Sequence, residues 1–296
     1  MRHFIFNSLR YIISIVLVHS LITFLNVQIL NKLKIQSFVL TKNQYNRSGM
    51  IYILGNSHSE CAINDSLLSK NYANIAISAE PLFYSVIKAR RLLSDNCVID
   101  TIVIEFSNNS LSTIKWAIDD NRLMHEYTKY FSSMNIDEHL FLFLNNFNKS
   151  IKTFFSLTPR DIFLSKKNVN GGYRSLIKNN IKSILKNKKL CNFTEVSKHL
   201  NENELYGFVN LLSLIKKHPK TYFVITRMPL HNSNNLNDKI LYKKCIKQLQ
   251  TQNNCRYIDF LNTNLNDDEY ADPAHLNHKG ANRFTRIFMD SLKITN

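Results

Sequence analysis

IYILGNSHSE, residues 51–60, drives a short apolar run into a glycine and then into a polar quartet, Asn56, Ser57, His58 and Ser59. Gly, Asn and Ser are common turn residues, so one reading of 55–59 is a plain turn. The other reading is a hydroxyl lifted to the edge of a sheet at the mouth of a buried strand. The pattern on either side decides what kind of sheet that is.

Further apolar runs follow at 73–77 (ANIAI), 101–106 (TIVIEF), 221–226 (TYFVIT) and 256–260 (RYIDF), and with 50–54 (MIYIL) they read as five buried strands. Helical spacing falls between them, at 64–71, 81–95, 202–217 and 237–253, and once more after the last strand at 278–292. Strands alternating with helices predict an α/β fold, a flavodoxin-like three-layer α/β/α arrangement around a mostly parallel sheet. In such sheets reactive groups gather outside the carboxyl ends of the strands, where Ser57 falls.

The alternation breaks between 107 and 200. That stretch has an aromatic-rich part, Tyr127 to Phe155, and a basic part, SLIKNNIKSILKNKKL at 175–190, with Leu176, Ile177, Ile181, Ile184 and Leu185 on one helical face. It reads as an insertion or cap on a domain spanning 50–296. The basic helix is expected to pack on that domain, with contact to lipid head groups as the alternative.

At the amino terminus, YIISIVLVHSLITFLNVQIL, residues 11–30, lacks Asp, Glu, Lys and Arg. Its length suits one bilayer-spanning helix of about 20 residues. No small-residue cleavage site follows it, so residues 1–33 are expected to be an uncleaved anchor and 34–49 a polar tether. Arg2 and Arg10 precede the span and Lys32, Lys34, Lys42 and Arg47 follow it, a count that by the positive-inside rule opposes an exported domain.

The net charge of +16 comes from 38 Lys+Arg against 22 Asp+Glu. The lysines are scattered through an Asn- and Ile-rich chain rather than clustered. The charge therefore reads as a solvated background, and with no zinc-finger, phosphate-loop or RNA-binding signature, no nucleic-acid partner is expected. Cys61, Cys97, Cys191, Cys245 and Cys255 are odd in number and irregular in spacing. They imply no disulfide framework; Cys245–Cys255 is the one pairing left open.

The strongest pattern is DPAHLNHKGA, residues 272–281. An Asp three residues before a His lets one loop present both side chains, the carboxylate orienting an imidazole whose other nitrogen reaches a serine. Serine needs such a base to act as a nucleophile near neutral pH. Gly280 and Ala281, small residues opening the last helix, are expected to allow its close approach to the sheet. Taken alone, His275 reads equally as a helix-capping or surface residue.

GNSHS at 55–59 together with DPAHLN at 272–277 resembles the first and last blocks of the SGNH (GDSL-type) hydrolase and acyltransferase superfamily, in the form found in membrane-anchored cell-envelope members. The pattern covers about 50–290, though only those two blocks are specific. The resemblance implies Ser57 as nucleophile, His275 as general base and Asp272 as its orienting carboxylate. It also implies an oxyanion hole from the backbone of Ser57 and of Ser78 or Ala79, with Asn109 as side-chain donor. The middle blocks depart from the family: no glycine occurs near 77–80, the third block reads Ser107-Asn108-Asn109-Ser110, and Asn56 replaces the usual Asp. His58 is either a substrate contact or a cap of the following helix.

The implied activity is ester chemistry through an acyl-Ser57 intermediate, on an O-acyl (O-acetyl) group of a surface glycan, outside the cytoplasmic membrane. Transfer to water makes an esterase and transfer to a sugar hydroxyl an acyltransferase, with a membrane-bound acyl-transfer partner. No cofactor or metal is implied. Two other readings stay open: a catalytically idle glycan-binding or scaffolding domain, and an anchored esterase facing the cytoplasm. Finally, Glu105 and Arg227 end the third and fourth apolar runs, where an unpaired charge is costly to bury. They are expected to pair under the site, with solvent at the sheet's rim as the alternative.

Overall fold

The computed structural model describes residues 49–94, 99–114, 130, 133–145, 171–177, 196–200, 202–232 and 240–293, with 6–11, 13, 14 and 17 near the amino terminus. The chain divides into two compact units, Met1–Val39 with Asp120–Val169 and Leu40–Asp119 with Asn170–Asn296. The span expected over 11–30 lies outside the described residues, apart from positions 11, 13, 14 and 17. Among the described residues no helix is long and apolar enough to cross a membrane.

In the second unit the strands run β1 (Met50–Leu54), β2 (Tyr72–Asn74), β3 (Ile99–Glu105), β4 (Ser112–Ile114) and β5 (Val196–Leu200). They continue with β6 (Tyr222–Arg227), β7 (Cys255–Asp259), β8 (Tyr270–Asp272) and β9 (His275–Leu276). From residue 50 on, the described helices, in chain order, are α1 (Ser57–Ala62), α2 (Leu82–Ser94), α3 (Ile136–Asn145), α4 (Glu202–Lys217), α5 (Ile240–Gln250) and α6 (His278–Lys293). All but α3 belong to the second unit.

Five strands form one sheet in the order β2–β1–β3–β6–β7, and each neighbouring pair is parallel. This is the flavodoxin-like order, with its switch point between β1 and β3. Strand side chains alternate between faces, so Ile53, Val103 and Val224, level in register, share one side. There they meet Phe284, Phe288 and Leu292 of α6, spaced four apart on one stripe and all buried. Each such side chain contributes roughly 1.5–3 kcal/mol by leaving water. Leu54, Ile104 and Ile225 take the other face. Past its end, Phe106 stacks on Phe208 of α4 at 5.5 Å and lies 5.3 Å from Tyr242 of α5. With helices on both faces, the strands read as continuous apolar runs.

Several local expectations are corrected. The helix expected over 64–71 starts earlier, at Ser57, because the Asn56 side chain accepts from His58 N at 2.8 Å and caps it. Only a 3-10 turn, Asp65–Leu67, follows. The strand expected over 73–77 stops at Asn74, whose side chain accepts from Ala76 N at 3.1 Å and donates to Ile63 O at 2.8 Å. Side-chain bonds of this kind draw the backbone out of the ladder. Two antiparallel ladders, β4–β5 and β8–β9, were not anticipated; strands of two to five residues outside the main sheet leave no clear period. The helix expected over 175–190 falls mostly outside the described residues, and 175–177 are irregular rather than helical.

In the first unit, α3 opens on a reciprocal cap: Glu138 N donates to Asn135 Oδ1 and Asn135 N to Glu138 Oε2, both at 2.9 Å. Cys61, Cys245 and Cys255 are buried free thiols, so the pairing left open for Cys245 and Cys255 is not made. Burial pushes the Cys245 thiol up to about 11 and that of Cys255 to about 12.

Candidate active site

The glycine at the end of β1 is required twice over. Gly55 has φ +149°, and a Cβ there would lie 2.6 Å from Glu105 Cβ and 2.8 Å from Ser59 Oγ. No side chain fits, so the chain can turn directly from the strand to Asn56 and into α1 with Ser57 as its first residue. Ser57 thereby stands at the carboxyl end of β1, at the switch point.

The second piece is a short hairpin. Asp272 ends β8 and its Oδ1 accepts from the backbone N of Ala274 at 2.8 Å and of His275 at 3.0 Å, which folds the loop back on itself. His231 N donates to Pro273 O at 3.0 Å and ties the loop to the segment after β6. Asn277, not His275, caps the last helix: its Oδ1 accepts from Gly280 N at 3.1 Å and its Nδ2 donates to Asp268 O at 2.7 Å. Gly280 allows a tighter approach still, since a Cβ there would stand 2.0 Å from Glu269 O. The contact is with the 3-10 turn before β8 rather than with the sheet.

These two pieces meet. His275 Nε2 lies 2.8 Å from Ser57 Oγ, and Nδ1 lies 3.0 and 2.9 Å from the two Asp272 carboxylate oxygens. With a carboxylate facing Nδ1, the proton belongs on that nitrogen and Nε2 accepts the Ser57 hydroxyl. Burial pushes the Asp272 carboxyl up, but the His275 hydrogen bond and charge, with the amides of Ala274 and His275, outweigh it and hold the group below its ordinary value. Asp272 is therefore an ionised acceptor. A hydroxyl, an imidazole and a carboxylate in this line can pass a proton from serine to histidine.

The other expected site residues fare differently. Ile77–Glu80 form a turn closed by Glu80 N donating to Ile77 O at 3.0 Å, and Ala79 sits in it at φ +55°. Positive φ at the third turn position is where a glycine is favoured. The backbone thus adopts the conformation expected of the missing glycine, at a cost of roughly 1–2 kcal/mol for a side chain there. Ala79→Gly is expected to leave stability unchanged or raise it by about 1 kcal/mol; a clear loss in urea unfolding would refute this. The Ser78 hydroxyl donates to Glu60 Oε2, and Arg174 Nη1 donates to Ser78 Oγ at 3.3 Å. The side chain of Asn109 lies outside the described residues, while its neighbour Asn108 is buried.

The expected Glu105–Arg227 pair does not form, although β3 and β6 are neighbours. Glu105 is level with Thr226, so Arg227, one residue on, points to the opposite face. Arg227 Nε donates instead to Asp259 Oδ1 at 2.9 Å, with a second bond from Nη2 to Oδ2. Glu105 turns under the nucleophile turn, its Oε1 3.5 Å from His58 Nδ1, and the His58 ring lies 5.4 Å from that of His275.

Behind Glu105 is a buried polar layer that sequence reasoning missed. Lys88 Nζ pairs with Glu80 Oε2 at 2.8 Å and donates to Ile75 O at 2.7 Å, with both charged side chains almost wholly buried. Glu204 of α4 faces the first amides of α2, and burial pushes its carboxyl up to about 8. A folded-state value above the ordinary 4.5 means that the native chain keeps a proton the unfolded chain loses. Stability then falls as pH rises from about 4.5 to about 8. Glu204→Gln is expected to remove this slope and to be most stabilising, by a few kcal/mol, near pH 8. Urea unfolding at pH 5 and pH 8 tests it; the same pH dependence in both proteins would count against it. A charged residue inside a helical pattern is the only trace such a layer leaves in a sequence.

Among the described residues no group of three or more His, Cys, Asp or Glu side chains is arranged to hold a metal ion. Fold and site together define an α/β domain with a Ser–His–Asp hydrogen-bond line at the carboxyl edge of its parallel sheet. No family model matches the chain. No curated protein matches it either. Among solved structures it is similar to one described as "a putative platelet activating factor from Streptococcus pneumonia", at 10% identity and a TM-score of 0.39, over 83% of this chain and 85% of that one.

Proposed function

We propose that the protein is a serine esterase or O-acyltransferase of the SGNH type, with Ser57 as nucleophile, His275 as general base and Asp272 as orienting carboxylate. The observation that carries this reading is the continuous line from Asp272 through His275 Nδ1 and Nε2 to Ser57 Oγ. Ser57 Oγ attacks the ester carbonyl as His275 takes its proton. The tetrahedral intermediate collapses, His275 returns the proton to the leaving alcohol, and the acyl group stays on Ser57. Water or a sugar hydroxyl, deprotonated by His275, then takes the acyl group and frees the serine. The backbone N–H of Ser57 and the Ser78–Ala79 turn are the backbone donors for the oxyanion.

The substrate assigned is an O-acyl group, O-acetyl foremost, on a cell-surface glycan. The protein is assigned to the cytoplasmic membrane, held through 11–30 with the 50–296 domain outside and working with a membrane-bound acyl-transfer partner. The sequence pattern at 55–59 and 272–277 and the apolar run at 11–30 support this finer reading.

Treating the full chain with a fluorophosphonate probe and with p-nitrophenyl acetate, beside Ser57→Ala and His275→Ala, tests the chemistry. An adduct mapped to Ser57 and lost in both variants is the expected result. A folded chain that neither labels nor turns over sinks the enzyme reading and favours a glycan-binding domain, for which the non-glycine residue at Ala79 is the specific argument.

A further inference from the structure

Residues 171–177, GGYRSLI, fall by sequence inside the interruption between the third and fourth apolar runs, yet they are bonded to three segments around Ser57. Gly172 N donates to Ala76 O at 3.3 Å, just before the turn that carries Ser78 and Ala79. Arg174 N donates to Glu60 O at 2.9 Å, and His278 N, three residues after His275, donates to Leu176 O at 2.8 Å. The helix α1 is only one and a half turns long, so its last carbonyls need partners from outside, and Arg174 supplies one. Gly171 is what lets the segment come this close: its φ is +69°, and a Cβ there would lie 2.5 Å from the carbonyl oxygens of Ile75 and Ala76.

The Arg174 side chain makes the contact that bears on the chemistry. Its Nη1 donates to Ser78 Oγ at 3.3 Å, and Ser78 Oγ donates to Glu60 Oε2. A guanidinium has only donors, so the hydroxyl is fixed in one sense, accepting from Arg174 and donating to Glu60. Glu60 stands three residues after Ser57 on α1, its neighbour one turn along the helix surface. On its other side the turn is held by Ile77 N, which donates at 3.0 Å to the carbonyl of Gly55, two residues before Ser57. The turn is thus pinned to the chain both before and after the nucleophile. A residue with a side chain at φ +55°, as Ala79 is, persists only where its surroundings over-determine it.

We propose that Arg174 is a positioning residue of the Ser57 site: through Ser78 it locks the Ser78–Ala79 turn to the nucleophile helix and keeps the backbone donors of that turn aimed at the oxyanion. The inference rests on the reading of Ser57 as nucleophile and of that turn as its oxyanion partner. Donors of this kind stabilise the developing charge because they are fixed before the reaction. A glycine at position 79 would hold the turn's conformation unaided. With alanine there, the bonds from Arg174 and Glu60 to Ser78 do so instead. Residues 171–177 are then part of the active site rather than of a cap over it.

Hydrolysis of p-nitrophenyl acetate by the full chain tests this, with kcat counted per Ser57 labelled at completion by the fluorophosphonate, so that misfolded protein does not enter. Arg174→Met keeps an apolar stem and removes the donors. It is expected to lower kcat about tenfold with KM little changed, the effect of a donor displaced rather than deleted. In the Ala79→Gly background the same substitution is expected to cost less than about twofold, because glycine holds a positive φ by itself. Undiminished kcat in Arg174→Met, a change confined to KM, or the same loss in both backgrounds overturns the proposal while Ser57-dependent turnover still stands. A wild type that neither labels at Ser57 nor turns over overturns both readings together.

Discussion

Asp272→Asn is expected to lower kcat for ester hydrolysis by about ten-thousandfold while leaving the fold intact. The amide retains an oxygen for the amides of Ala274 and His275, so the loop between β8 and β9 keeps its shape. It no longer offers a second acceptor oxygen or a charge to His275 Nδ1, which now holds the carboxylate at 2.9 and 3.0 Å. The imidazole is then free to place its proton on Nε2, facing Ser57 Oγ at 2.8 Å, and the serine loses its base. Rates of fluorophosphonate labelling and of p-nitrophenyl acetate turnover measure the loss. A decrease of less than about tenfold would mean that the line is structural and that the chemistry lies elsewhere.

The second large effect is on stability. Lys88→Met is expected to destabilise the protein by about 3–5 kcal/mol, because Glu80 would be left charged and buried with its cation removed. For a domain of this size the melting temperature should fall by roughly 10 °C. Adding Glu80→Gln should recover most of the loss, since the stranded charge rather than the missing contact is the cost. Ser85 Oγ, which donates to Glu80 Oε1 at 2.7 Å, can donate equally to the amide oxygen. Thermal unfolding of the single and double variants decides the matter: equal losses in both would mean that Lys88 acts through packing alone.

The two effects differ in how visible they are in the chain. The line from Asp272 to Ser57 is anticipated because each half carries its own local signal. A glycine and serine close an apolar run, and an Asp stands three residues before a His ahead of a helix. Ala79 is partly anticipated, since the position lacks its glycine, and the positive φ is what the turn imposes on whatever residue occupies it. Lys88, by contrast, is one of many lysines in a basic chain, and the spacing of its helix does not reveal that its ammonium faces inward.

The amino-acid sequence by itself determined the five strands of a parallel sheet, though not the extent of the second, four of the five expected helices, and the two segments that bear Ser57 and Asp272–His275. Those features are local: apolar runs that only a doubly covered sheet can bury, and short turns set by Gly, Asn and Asp. Tertiary structure alone decided which charges meet. Strand register put Glu105 level with Thr226 and sent Arg227 to the opposite face, so the expected pair gave way to Arg227–Asp259 and Glu105–His58. A side chain's direction reverses with each residue along a strand, so one step of register decides whether two charges meet, and register is a property of the assembled sheet rather than of either strand.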